Sequence, residues 1–300
     1  MHFRVRDRVA QPGSTQALAA SRDGRFVAAT NFDQKLRVYD ARSLALLKTL
    51  HLGTSFPHAL CFSPDGSFVG SGGKAITLFD TATWKKALTL KGHRHELHDV
   101  AFSPDGARAY TVSGGHYTPA DWSVRAWDAA TGAELWRWKG PTSVYAVAAS
   151  PDGAGVAAAD REGRVMMFDA ATGALRWQVM PGEWVYRLRF TPAGDALVAS
   201  GDSRSLFVLD PASGTHRAIA TGAGARALAI TRDGATALVG QTRYSDAQSV
   251  VAFDLATGER RWASEPLGRL PQGVALSPDD DAVYVLVSEP DELVVFERDG

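Results

Sequence analysis

The hydrophobic positions of this chain recur in short alternating runs and not at helical spacing. In one stretch, "HDVAF" alternates polar and apolar side chains, and "SVRAWD" places Val124 and Ala126 on one face of a strand and Ser123 and Arg125 on the other. The "SPDG" after the first run is a tight-turn sequence, because proline presets φ, aspartate bonds nearby backbone and glycine accepts positive φ. Together with "ARAYTV" and "ELWRW", these runs predict four antiparallel strands.

The same unit recurs along the whole chain. The turn tetrapeptide begins at Ser21, Ser63, Ser103, Ser150, Thr191, Thr231 and Ser277. An aromatic residue or leucine followed by an acid closes each unit, at Tyr39-Asp40, Phe79-Asp80, Trp127-Asp128, Phe168-Asp169, Leu209-Asp210, Phe253-Asp254 and Phe296-Glu297. One four-stranded sheet cannot bury both of its faces, but seven packed around an axis can. The two marks therefore predict an all-β, seven-bladed β-propeller in a single domain over residues 1–300, because neither a β-sandwich nor two small domains explains seven copies in register.

The two ends of the chain predict how the ring closes. The last unit ends after "ELVVFE", its third strand, while the N-terminal "HFRVRDRV" alternates like a strand and has no unit of its own. Sheet proteins avoid open edges. We therefore expect residues 2–9 to pair with the strand at 292–297 as the outer strand of the last blade.

The third unit resembles the WD-repeat β-propeller family, because "GH", "VAFSPDG" and "DWSVRAWD" stand in the order typical of that family. The resemblance covers the whole chain, although only this unit keeps both the Gly-His and the Trp-Asp pairs. It implies that His93, Ser113, Asp121 and Trp127 form a buried hydrogen-bonded network that makes the blade rigid. More weakly, "DAATGAELW", "DAATGALRW" and "DLATGERRW" are similar to the tryptophan-docking repeats of quinoprotein propellers, and Ala282–Phe296 resembles the repeat of lactonase-like propellers.

Polar and aromatic residues occupy one register on the innermost predicted strands. Five residues before each turn stand Gln16, His58, His98, Tyr145, Tyr186, Arg226 and Gln272, and two residues further back stand Ser14, Phe56, Glu96, Ser143, Trp184, Gly224 and Leu270. Strand periodicity puts both sets on one side, and in the WD-repeat family these positions surround the top mouth of the central channel.

These positions predict a binding surface for a protein or peptide partner on the top face. Its members are Phe56, His58, Glu96, His98, Tyr145, Trp184, Tyr186 and Arg226. We expect Trp184 and Tyr186 to lie exposed at the rim, with Trp184 as the main anchor. The alternative is that these side chains only fill and solvate the channel mouth. Two long connections, Ser113–Asp121 and Gln241–Gln248, should bring His116, Tyr117 and Tyr244 near the same rim.

The stretch "KGHRHELHDV" raises the question of a metal site, because His93, His95 and His98 stand close to two carboxylates. The resemblance gives His93 a structural role, and spacing in a loop fixes no tetrahedral geometry. The single cysteine, Cys61, allows neither an intramolecular disulfide nor a cysteine cluster. We therefore expect no metal and no cofactor.

The net charge of the chain and its lack of catalytic motifs limit the functions that we expect of this protein. The formal net charge is −1 and no basic run is present, so we expect no nucleic-acid or membrane partner. Without a signal sequence or a long apolar run, we expect a soluble, cytoplasmic, monomeric protein. No nucleophile-elbow, P-loop or zincin motif occurs, which favours a non-catalytic interaction scaffold. The alternative is a propeller enzyme or small-ligand binder that uses His58, His98 and Arg226. A narrow funnel with perturbed pKa values would favour the alternative, and a broad aromatic rim would favour the scaffold.

Overall fold

Seven four-stranded antiparallel sheets make up the protein in a computed structural model that describes residues 2–53, 56–115, 121–241, 249–267 and 270–299. Each sheet corresponds to one predicted unit, so the all-β seven-bladed propeller is confirmed. In the part of the chain that is described, no helix has the length and apolar character needed to cross a membrane.

Each blade begins at the centre of the ring, and its strands follow outward in chain order. After β1 (Phe3–Ala10), blade one contains β2 (Thr15–Ala20), β3 (Phe26–Asn31), β4 (Lys35–Asp40) and β5 (Leu46–His51). Blade two contains β6 (Ala59–Phe62), β7 (Phe68–Gly72), β8 (Ile76–Asp80) and β9 (Lys86–Leu90). Blade three contains β10 (Leu97–Phe102), β11 (Arg108–Ser113), β12 (Ser123–Asp128) and β13 (Glu134–Lys139). Blade four contains β14 (Val144–Ala149), β15 (Gly155–Asp160), β16 (Val165–Asp169) and β17 (Leu175–Val179).

The remaining three blades follow the same plan. Blade five contains β18 (Val185–Phe190), β19 (Leu197–Gly201), β20 (Ser205–Leu209) and β21 (His216–Ala220). Blade six contains β22 (Ala225–Ile230), β23 (Thr236–Gln241), β24 (Val250–Asp254) and β25 (Arg260–Ala263). Blade seven contains β26 (Pro271–Leu276), β27 (Ala282–Val287) and β28 (Glu292–Arg298). Each innermost strand contacts the innermost strands of the two neighbouring blades, which closes the ring around a central channel.

The N-terminal strand completes the last blade. Strand β1 pairs antiparallel with β28, from Phe3 opposite Arg298 to Ala10 opposite Glu292. Phe3 is only 7% exposed, and its ring packs edge-on against Trp262 of blade six at 5.2 Å between centroids. The predicted closure is confirmed, and Phe3 also ties the closing strand to the neighbouring blade.

Tryptophans from the repeated "ATG…W" text dock the outer strands of blades three and four on the next blade. The Trp136 indole N–H donates to the Ala170 carbonyl at 3.1 Å, and that of Trp177 donates to the Pro211 carbonyl at 2.9 Å. Gly173 has φ 73° and lies against Trp136 so closely that a Cβ there would be 2.6 Å from the indole. The repeat therefore contains glycine at this turn for two reasons: the positive φ and the close approach of the ring.

The "SPDG" turns lie at the far end of the innermost strands from the predicted binding surface. In blade three the Ser103 hydroxyl donates to the Asp105 carboxylate at 2.5 Å, and the same carboxylate accepts the Ala107 N–H at 3.0 Å. Gly106 completes the turn with φ 71°. These aspartates are therefore occupied by backbone and serine donors of their own turn, as expected for structural turn residues.

A buried network connects the strands of blade three. Trp127 donates its indole N–H to the Thr111 hydroxyl at 2.7 Å, and that hydroxyl donates to His93 Nε2 at 2.7 Å. His93 then donates from Nδ1 to the Asp121 carboxylate at 3.0 Å. The predicted member Ser113 has a different partner, because it lies two residues beyond Thr111 on β11 and donates to the Asp121 carbonyl at 2.6 Å. Thr111 is the hydroxyl that links histidine to tryptophan.

The protonation states of this network follow from its contacts. Burial lowers the pKa of His93, against the opposite effect of the hydrogen bond that it donates to Asp121, so the imidazole is neutral near pH 7. Burial alone would raise the pKa of Asp121, but hydrogen bonds from His93 and Arg125 hold it well below its usual range. Arg125 donates to the Asp121 carboxylate at 2.7 Å. In this network a neutral His93 donates to the ionised carboxylate of Asp121, and the positive charge of Arg125 balances the negative charge of that carboxylate.

Candidate functional site

A funnel opens on the top face, where the chain enters each innermost strand. In six blades the first ladder positions of that strand are interrupted by a β-bulge, and a bulge turns the side chain of the extra residue. The bulged residues are Gln16, His98, Tyr145, Tyr186, Arg226 and Gln272. In blade two, His58 stands directly before β6. All seven side chains line one cavity of about 380 Å³.

Aromatic rings form a continuous arc around this funnel. Its members, in order, are Phe32, Phe56, His58, His98, Tyr145, Trp184 and Tyr186. Successive centroids are 4.1 to 6.1 Å apart, and the closest pair is the stack of His98 on Tyr145. Arginines cap the far end, with the Arg161 guanidinium 4.9 Å from the Trp184 ring and that of Arg226 4.8 Å from the Tyr186 ring. These distances suit offset and edge-on aromatic contacts and cation–π contacts.

Exposure differs strongly along the arc. Phe32 and Phe56 are 41% and 42% exposed, whereas Trp184 is partly buried. The expectation that Tyr186 lies exposed at the rim is wrong, because this side chain is only 8% exposed. Its hydroxyl donates to Asp202 at 3.0 Å and its ring lies under Arg226, so both neighbours cover it. Phe32 was not found from the sequence, because it follows β3 in a connection without a repeated pattern.

The second predicted set of positions is only partly at the funnel. Glu96 and Trp184 line it, and Phe56 contacts the lining ring of His58. Ser143 and Leu270 are instead 2% and 8% exposed. Glu96, Trp184 and these two buried residues all precede a β-bulge in their blades, so strand alternation alone does not decide which of them reach the funnel.

Arg187 is a second funnel residue that was not predicted from the sequence. It follows the bulged Tyr186 and donates from Nη1 to the Tyr186 carbonyl at 2.9 Å. The corresponding residues of the other blades are Ala17, Ala59, Asp99, Ala146, Ala227 and Gly273. The sequence did contain a sign of this residue, because a long, positively charged side chain stands where the other blades have mostly small residues.

The titratable groups of the funnel are strongly affected by burial. Burial, with a contribution from the charge of Arg187, lowers the pKa of His58 to about 4. Burial raises the pKa values of Tyr145 and Tyr186 to about 12. The imidazole of His58 and both phenols are therefore neutral near pH 7, and the positive charge on the funnel wall comes from Arg187 and Arg226.

The histidine-rich stretch does not gather into a metal centre in the described part of the chain. His93 belongs to the blade-three network, and His98 Nε2 is 3.1 Å from the Gly114 carbonyl. Among the described residues, no three His, Cys, Asp or Glu side chains are placed to hold one ion. Burial raises the pKa of Cys61 to about 11, which disfavours its thiolate. The predicted rim residues His116, Tyr117 and Tyr244 lie outside the described residues.

The seven sheets define a seven-bladed β-propeller, and the resemblance to WD-repeat propellers seen in the sequence is confirmed. The model of the WD domain, G-beta repeat, matches residues 84–128. A second family model, described as outer membrane protein assembly factor BamB, matches residues 120–263 and accounts for the weaker quinoprotein-like similarity.

Several curated proteins are similar to parts of the chain. It is 25% identical to the target of rapamycin complex subunit wat1 of Schizosaccharomyces pombe, over 45% of this chain and 42% of that protein. It is 32% identical to the meiotic recombination protein rec14 of the same organism, over 31% of this chain and 32% of that one. An uncharacterized WD repeat-containing protein of Synechocystis, sll1491, is 27% identical over 47% of this chain and 40% of its own. The chain thus spans less than half the length of the relatives it matches.

Proposed function

We propose that this protein is an interaction scaffold that binds a peptide segment of a partner protein on its top face. The observation that carries the proposal is the arc of seven rings around the funnel, which ends in the exposed pair Phe32 and Phe56. Large exposed apolar side chains in contact with one another mark interaction surfaces more often than scattered ones. Aromatic and arginine side chains also supply most of the binding free energy in protein interfaces.

The relatives support a role in assemblies. One of them is by its name a subunit of a complex, and others are WD-repeat proteins. Enzyme activity has no motif in its favour in the sequence. We expect the eight predicted residues Phe56, His58, Glu96, His98, Tyr145, Trp184, Tyr186 and Arg226 to act as one surface, with Trp184 as anchor and Phe32 added to it.

A second candidate is the binding of a small molecule in the funnel. Its volume of about 380 Å³ falls in the range of small-molecule sites, and the pKa of His58 is strongly perturbed. Phe56 separates the two candidates, because it is exposed on the rim and does not line the cavity. A peptide that crosses the rim needs this ring, while a molecule inside the funnel does not.

The test is affinity capture from the native host with matched variants. A Phe56→Ala/Trp184→Ala variant removes two members of the arc, and a Leu135→Ala/Leu175→Ala variant removes two exposed residues from the outer strands β13 and β17. Tyr186 is left intact because it is buried. Removal of an anchor costs about 2 kcal/mol or more, so affinity should fall roughly 30-fold or further.

The captured protein is then identified and its overlapping peptides are titrated against both variants. The proposal requires one peptide that binds the wild-type chain and the outer-strand variant, and that loses binding to the top-face variant. Equal melting temperatures of the two variants show that the fold is kept. Retention of the same peptide by the top-face variant would place binding elsewhere on the propeller.

A further inference from the structure

We propose that Arg187 and Arg226 form a carboxylate-binding subsite in the funnel, which receives one acidic side chain of the bound peptide segment. The inference rests on the proposed peptide-binding function and adds to it the chemistry of the segment. An aspartate or glutamate would enter the funnel, while the flanking residues lie on the aromatic arc.

Tyr186 brings the two guanidinium groups together. Arg187 donates to the Tyr186 carbonyl, and Arg226 Nη2 is 3.4 Å from the Tyr186 hydroxyl with its guanidinium 4.8 Å from the ring centroid. Both arginines line the same cavity. Among the described residues, neither guanidinium forms an ion pair with a carboxylate. Most of their N–H donors therefore remain for a ligand, since each guanidinium has five.

The charges around Arg187 leave an excess of positive charge. Burial has the largest effect and lowers the pKa of Arg187; the charge of Asp99 raises it, and the charges of Arg189 and Arg226 lower it further, so three guanidinium groups lie near one carboxylate. Asp99 keeps its charge but accepts the N–H groups of Val100 at 3.0 Å and Val147 at 3.2 Å, and it forms no hydrogen bond with Arg187 in the described part of the chain. A bound anion would relieve the repulsion between the arginines, and the interaction is stronger in a partly dehydrated funnel than in water.

Two other carboxylates near the funnel do not remove this excess at Arg187. Glu96 lies on the wall at blade three, and Asp202 accepts the Tyr186 hydroxyl. Arg226 contacts the same Tyr186 hydroxyl, so Asp202 offsets part of the charge of Arg226, but neither carboxylate forms an ion pair with Arg187 among the described residues. Glu96 also disfavours a second acidic group near it, so the funnel is suited to a single carboxylate.

The shape of the site favours a carboxylate carried on a peptide. A planar guanidinium matches the two oxygens of a carboxylate in bidentate geometry. The rings of Tyr145 and Trp184 line the same cavity as the two arginines and offer apolar contact to the atoms that carry the acid. An acidic side chain with its backbone uses both features, whereas a bare anion uses only the arginines.

The probe is N-acetyl-glutamate amide, and its neutral isostere is N-acetyl-glutamine amide. A ligand of this size should bind the full chain with a Kd on the order of 1 mM, which saturation-transfer NMR detects. We expect the glutamine compound and glutarate, which lacks the peptide groups, to bind at least about 10-fold more weakly. Arg187→Gln should weaken the glutamate compound by about 10-fold or more. Arg232→Gln makes the same charge change in the exposed turn at the other end of β22 and should leave binding unchanged.

Three results would overturn the subsite: equal binding of the glutamate and glutamine compounds, tighter binding of glutarate, or equal loss in the two arginine variants. If Arg187→Gln lowers the melting temperature, Arg226→Gln serves as the second variant, and the comparison of the two amides needs no variant at all. The peptide-binding function is tested separately through Phe56 and Trp184, so either proposal can fail while the other stands.

Discussion

Replacement of Thr111 by valine tests the buried network of blade three. The side chain is fully buried, and its hydroxyl serves two groups, the Trp127 indole N–H and His93 Nε2. Valine keeps the shape and removes both hydrogen bonds. Each buried polar group left without a partner costs about 1–3 kcal/mol, so Thr111→Val should lower the free energy of unfolding by about 2–5 kcal/mol.

Ser113→Ala is the matched control for this prediction. It removes a buried hydroxyl from the same strand, which has one short hydrogen bond, to the Asp121 carbonyl at 2.6 Å, and one long contact of 3.5 Å to the Ser123 hydroxyl, at a cost of about 1 kcal/mol. Urea unfolding of both variants and the wild type at pH 7.5 gives the two differences. If Ser113→Ala destabilises as much as Thr111→Val, Thr111 is not the link between His93 and Trp127 and the account of the network is wrong.

Three further predictions concern closure and the funnel. Phe3→Ala should lower the free energy of unfolding by about 3 kcal/mol, because it removes the packing of β1 on blade six. The control Arg4→Ala should lower it by less than about 0.5 kcal/mol. Equal shifts of the two variants in thermal unfolding would contradict the role of β1. His58 has a folded pKa of about 4 against an ordinary 6.5, so its contribution is complete above pH 6.5 and is lost as pH falls toward 4, by up to about 3 kcal/mol. Urea midpoints between pH 4.5 and 7.5 should therefore vary less in His58→Gln than in the wild type, and identical curves would contradict this. Arg187→Gln should raise the pKa of His58 in an NMR titration, because the Arg187 charge helps to lower it; an unchanged pKa would show that the two groups do not interact.

The blades and their closure could be predicted from the sequence because each depends on a repeated local signal. The turn tetrapeptides and the closing acids mark strand ends in every unit. The segment "HFRVRDRV" alternates like a strand but belongs to no unit, so it was expected to pair with the open edge of the last blade, as it does. The residues five positions before each turn were also predicted correctly to line the funnel, since they share one register and six of them occupy the same bulge.

The network hydroxyl, the position of Arg187 and the burial of Tyr186 were not predicted, because they depend on three-dimensional contacts that strand alternation does not describe. Ser113 and Thr111 lie on the same face of β11, so alternation cannot decide which of the two reaches Trp127. Arg187 follows the bulge at Tyr186, where the regular alternation breaks down. The burial of Tyr186 depends on contacts with other blades, which a single-strand pattern does not reveal.

Site-specific photocrosslinking in the native host tests the central claim most directly, which is that the partner lies on the top face around the funnel. A photoreactive phenylalanine analogue replaces Phe56, which is 42% exposed at the rim, or Leu135, which is 47% exposed on the outer strand of blade three. The account predicts that illumination links one partner protein to position 56 and not to position 135. Crosslinks of the partner to position 135 alone would show that it binds the outer edge of the blades, and would contradict the account.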